Sequence, residues 1–232
     1  MNVQQTPVGS PANRIDPPVR RPLKMYAFDP MLGRAPFCTL TIEVANEPLR
    51  PGPFGARIRV VDYDGGSRCF YEPVDLDDPA LLMQGGFEPT ESDPRFHQQM
   101  VYAVASKVLE NFDRALGRRI TLSGGGPLTL FPHAFRGPNA FYDPDARAIR
   151  FGYFAADRSS PGANLPGQNV FTCLSHDVIA HEMMHAIVDR LRHFFLEPSN
   201  RDFSDIVSIF QHFTFRGVLR DTIATNDESN ST

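Results

Sequence analysis

Ser175-His176-Asp177-Val178-Ile179-Ala180-His181-Glu182-Met183-Met184-His185-Ala186-Ile187-Val188-Asp189 is the stretch from which the rest of the chain is read. Val178, Ile179, Ala180, Ala186, Ile187, Val188 and Leu191 make it apolar on most sides, which predicts a buried helix over residues 175–194. Residues i and i+4 of a helix share a face, with Cβ atoms about 5–6 Å apart. His181 and His185 stand at that spacing, so their imidazoles can converge on one metal ion. Glu182 is rotated about 100° from His181 around the helix axis. That makes it a poor third ligand but a good base for a water held at the metal. Asp189 lies four residues after His185 on the same face, and is expected to orient a ligand histidine through a hydrogen bond. Buried histidines and glutamates are costly without partners. A metal supplies one; ordinary hydrogen bonds within a core helix are the plainer alternative.

The bulk properties narrow the classes. At 232 residues, 41% of them hydrophobic, the chain can bury a sizeable core in one large domain or two small ones. Its 23 basic and 27 acidic residues give a net charge of −4, and no long basic run appears, so nucleic acid is not an expected partner. There is no uninterrupted apolar run long enough for a membrane-spanning helix, so no membrane association is expected either. Residues 1–22 are rich in Pro, Asn, Gln and Arg and carry no apolar stretch of the signal-peptide kind, which gives a cytoplasmic expectation. Cys38, Cys69 and Cys173 are widely spaced, form no zinc-knuckle pattern, and read as reduced structural thiols. Nothing in the composition fixes an oligomeric state.

Along the chain, residues 1–22 read as a disordered Pro-rich arm. A β-rich region over 23–90 follows. Residues 38–44 alternate with period two, and residues 56–63 and 68–71 read as a hairpin around Asp64-Gly65-Gly66-Ser67. Asp62, Asp64, Asp75, Asp77 and Asp78 lack the order of a calcium loop and read as solvated turn residues. Asp93-Pro94 starts a long helix that Gly117 ends, with Phe96, Met100, Val104, Val108 and Phe112 as its core stripe. Residues 128–131 are strand-like. Residues 139–143 and 148–154 read as antiparallel strands around Asp143-Pro144-Asp145, and 155–170 as a long loop. A last helix near Asp202 carries Phe203, Ile206, Val207, Phe210 and Phe213 on its apolar face, and residues 216–232 form a polar tail. The fold class is α+β: an N-terminal antiparallel β region, then a twisted sheet packed on the long helix and on the His-Glu-x-x-His helix.

His176 to Asp189 resembles the Asp-Val-x-x-His-Glu-x-x-His-Ala-x-x-Asp stretch of the thermolysin-like zinc peptidases, the gluzincin group. Asn139-Ala140-Phe141-Tyr142 followed by Ile149-Arg150-Phe151-Gly152 is similar to that family's edge strand. Ser204-Asp205-Ile206 is similar to part of its third-ligand helix. The resemblance implies a zincin-like catalytic region over 91–215. It implies Zn²⁺ on His181 and His185, Glu182 as general base, and a peptide or protein substrate held by Asn139 and Ala140 through strand addition. The implied activity is that of a zinc endopeptidase.

Two departures stand against it. The family's third ligand, a glutamate four residues before the helix aspartate, corresponds to Arg201, and a guanidinium cannot ligate zinc. Glu197, Asp202 and Asp205 are the substitutes the sequence offers, with nothing to choose among them. The family's further helical domain, with its histidine that stabilises the tetrahedral intermediate, has no recognisable counterpart; His212 and Tyr142 are the available stand-ins. The alternative reading is a truncated or degenerate, inactive relative that acts as a binding protein.

Overall fold

Phe96, Met100, Val104 and Val108 of the stripe expected on the long helix are fully buried and Phe112 is partly so, which places this helix at the centre of the core. This helix is α2 (Pro94–Leu116) in the computed structural model, which describes residues 19–28, 30, 39–122, 126–162 and 164–191. Both its ends are built as the sequence predicts. Asp93 Oδ1 accepts a hydrogen bond from the Arg95 amide at 2.9 Å, and Gly117 closes the helix at φ 64°, a left-handed conformation that glycine adopts without penalty.

Upstream of α2, β1 (Arg20–Tyr26) pairs antiparallel with β2 (Thr39–Ala45). The expectation of a disordered arm over 1–22 fails for residues 20–22, which belong to β1. Two arginines and a proline disguised this strand. Arg21 is 2% exposed, and its guanidinium donates to the Asp77 carboxylate and to the carbonyls of Leu76 and Glu47. Arg20 pairs with Glu110 on α2. Pro22 is tolerated because, among the described residues, β2 is the sole strand neighbour of β1, and a missing amide is harmless on the side away from it. Residues 1–18 lie outside the described residues.

The strand expected over 56–63 is two strands. β3 (Ile58–Val60) joins the main sheet, and the chain then bends into β4 (Tyr63–Asp64), which pairs antiparallel with β5 (Cys69–Phe70). The hairpin expectation holds for β4 and β5 alone. Asp64, read as a solvated turn residue, is buried. Its Oδ1 accepts from the amides of Gly66 and Ser67 at 2.8 and 2.9 Å and so builds the turn. A short helix, α1 (Pro79–Gln84), follows and is capped by Asp78.

The main sheet has β6 (Leu128–Arg136), β7 (Ala140–Asp143), β8 (Ala148–Ala155) and β9 (Asn169–Phe171) besides β3. Its order is β3-β6-β8-β7. β3 and β6 run parallel, as do β6 and β8, and β7 returns antiparallel through the Asp-Pro-Asp turn. β6 holds one side of β8. β7 and then β9 take the other side in succession. The last described element is α3 (His176–Leu191). α2 packs against β3, β6 and α3, and α3 packs against β7. The architecture is mixed α and β, as expected. No helix among the described residues is long and apolar enough to cross a membrane.

Candidate metal centre on the histidine helix

A 3-10 turn, Thr172–Leu174, delivers the chain into α3, and Cys173 and Leu174 are buried beneath it. Ile179, Ala180, Met183, Met184, Ala186 and Ile187 fix the orientation of α3 by filling the core. The two histidines of the predicted pair are then left half-buried. Their Nε2 atoms lie 3.0 Å apart and their ring centroids 4.8 Å apart, so the i, i+4 spacing brings both imidazoles to one point.

Glu182 is 7% exposed, and its Oε2 accepts a hydrogen bond from the backbone amide of Tyr142 at 2.9 Å. The donor belongs to β7, and the strand register explains why it is available. The Asn139 carbonyl accepts from the Gly152 amide at 2.9 Å, which turns Asn139 and Phe141 inward to β8. Ala140 and Tyr142, one residue out of phase, turn their amides and carbonyls to the other edge, which no described strand covers. Gly152 is required at this crossing: a Cβ there would stand 2.8 Å from the Asn139 carbonyl oxygen. Between this edge and α3 lies a cleft of about 300 Å³ lined by Asn139, Ala140, Thr172, Asp177, His181 and Glu182.

The expected substrate-gripping pair is thereby divided. Both residues border the cleft, but the Asn139 carbonyl is committed to β8, and Ala140 presents the outward backbone. Asp189 has a contact the sequence reading did not assign: its Oδ2 accepts from the Tyr142 hydroxyl at 2.8 Å. Burial first, and then this bond, push the Tyr142 hydroxyl above its ordinary pKa. Tyr142 therefore links the general-base candidate, through its amide, to Asp189, through its hydroxyl. Strand parity was the available signal, since Tyr142 stands two residues after Ala140 and shares its edge.

Glu197, Asp202 and Asp205, as well as Arg201 and His212, lie outside the described residues. Among the described residues, no third His, Cys, Asp or Glu completes a close three-ligand group with His181 and His185. One group does meet that standard elsewhere. His97, His133 and Cys173 are all buried, with ligand atoms within 4.8 Å of one another, and could hold a metal ion. No family model matches this sequence, and no curated protein matches it.

Proposed function

We propose that this chain is a zinc-dependent endopeptidase of gluzincin type, with the β3-β6-β8-β7 sheet, α2 and α3 forming a zincin-like unit. One observation carries the reading. Two imidazole Nε2 atoms lie 3.0 Å apart, and His181 of that pair borders a cleft together with the buried Glu182 carboxylate and a strand edge that no described strand covers. The donor set fits a zinc ion: His181 and His185 would hold it, with one of Glu197, Asp202 and Asp205 as third ligand. When bound, zinc supplies a Lewis acid for the scissile carbonyl and acidifies a water.

The protein's own residues do the rest. Tyr142 N–H fixes one oxygen of Glu182, so the carboxylate is oriented before substrate arrives. Glu182 takes a proton from the attacking water and delivers it to the leaving amine nitrogen. The outward amide and carbonyl of Ala140 add the substrate backbone to the sheet as a further strand. Tyr142 cannot offer its amide in the same way, because Glu182 already holds it. Strand addition is thereby focused on Ala140. Asp189 positions Tyr142 from the far side.

The test is zinc content and casein cleavage measured on the same purified protein, with and without His185→Ala. The expected result is zinc lost from the α3 site together with cleavage in the variant. Wild-type protein that cleaves no peptide sinks the proposal. A second reading draws on the absence, among the described residues, of a third ligand beside the pair. In it the chain is an inactive relative that binds an extended peptide along the β7 edge without cutting it. Peptide binding without cleavage by zinc-loaded wild-type protein is its signature.

A further inference from the structure

His97 on α2, His133 on β6 and Cys173 in the turn before α3 come from three separate elements and meet inside the core, each no more than 2% exposed. His133 Nδ1 lies 2.6 Å from Asp62 Oδ1, and the other Asp62 oxygen accepts from Gln98 Nε2 at 3.0 Å. A carboxylate only accepts, so Nδ1 carries a His133 proton, and in the neutral form of that ring Nε2 carries a lone pair. That lone pair faces His97 Nδ1 at 2.8 Å.

His97 has two neutral tautomers, and beside a neutral His133 each leaves a defect. With the proton on Nδ1 it bonds to His133, but Nε2 becomes a bare acceptor in a buried position without a hydrogen-bond partner. With the proton on Nε2, carbonyls of Glu91 and Thr90 face the ring but do not reach good hydrogen-bond geometry with that nitrogen. Two lone pairs then confront each other across 2.8 Å. A cation between the nitrogens turns this repulsion into coordination, and the Cys173 sulfur stands ready as a third donor.

We propose that His97, His133 and Cys173 form a second, enclosed metal site, distinct from the cleft, for a thiophilic cation of the zinc or copper class. A thiolate with two imidazoles suits both ions. Asp62 orients His133 from behind, as carboxylates commonly do for ligand histidines. For a divalent ion, the thiolate and the Asp62 carboxylate cancel its charge, so no net charge is buried. Phe171 packs on both imidazoles, with ring centroids at 4.6 and 5.4 Å, and Tyr71 packs on His133 at 5.1 Å. Such a closed setting fits a structural site. The ion ties α2 and β6 to the turn that launches α3, and so sets the position of the cleft helix.

The experiment is cobalt(II) loading of the full chain, read by the thiolate-to-cobalt charge-transfer band in the near ultraviolet. The band is expected in the wild type and in the His181→Ala/His185→Ala double variant, because neither cleft histidine supplies sulfur. It is expected to vanish in Cys173→Ser. Cys38→Ser/Cys69→Ser leaves Cys173 as the sole thiol and is expected to keep the band, which covers the case of a Cys173 variant that does not fold. Folded, cobalt-exposed wild type without the band overturns the site, and so does a band that survives Cys173→Ser. Elemental analysis of the purified chain then separates zinc from copper. Failure of casein cleavage bears on the cleft alone and leaves this result unaffected.

Discussion

Two pairs of imidazoles in this chain stand at nearly the same separation in opposite surroundings. His181 and His185 are 3.0 Å apart and half-buried, with His181 bordering a cleft; His97 and His133 are 2.8 Å apart and sealed in the core. The first pair has a carboxylate between its members in sequence and, opposite, a strand edge that no described strand covers. The second has a carboxylate behind one ring and aromatic side chains around it. Nitrogen-to-nitrogen distance does not separate a reactive centre from a structural one; solvent access and the place of the nearest acid do. An acid facing the cleft can move a proton, whereas an acid behind a ligand ring can only hold that ring still.

Stability is where the two pairs should differ most. His133→Ala strips Asp62 of its buried imidazole partner, and the cost is expected at about 3 kcal/mol or more, since an abandoned buried charge cannot be rehydrated. His185→Ala at the half-buried pair is expected to cost under about 1 kcal/mol. Urea titrations of the two variants check this, and equal losses would erase the distinction between the pairs.

The cleft edge offers a finer test. Ala140→Pro removes an amide that faces the cleft, not β8, and proline is tolerated at such an edge. The expected outcome is a folded protein whose KM for an extended peptide rises about 3- to 10-fold, the worth of one hydrogen bond, with kcat held. Phe141→Pro removes an amide that faces β8 and is expected to lower stability. If the two substitutions behave alike, the register argument fails. The smallest effect is expected from Tyr142→Phe, which loses the bond to Asp189 and about 1 kcal/mol of stability, measurable as a lower urea midpoint.

The sequence made the first pair legible and hid the second for the same reason. His181 and His185 are related by one helical turn, so local geometry places them without knowledge of the rest of the chain. The caps of α2 and the hairpin of β7 and β8 are local in the same sense. His97, His133 and Cys173 meet only after α2 has docked on β6 and the turn before α3 has docked on both. Nothing in their spacing announces it. The nearest hint is His97-Gln98-Gln99, three polar residues in a part of α2 that is buried all round. β1 was hidden by composition. Arg20-Arg21-Pro22 looks like a solvated arm until Asp77, Glu110 and the Leu76 carbonyl are seen to absorb its charges.

The proposed chemistry rests on Glu182 as the base, and one measurement reaches it directly: casein cleavage by Glu182→Gln protein that carries as much zinc as the wild type. The amide keeps size and an acceptor for the Tyr142 N–H but cannot take a proton at neutral pH. The expected rate is about 10²- to 10⁴-fold below wild type at unchanged zinc content. An undiminished rate would contradict the role of Glu182 and, with it, the catalytic reading of the cleft.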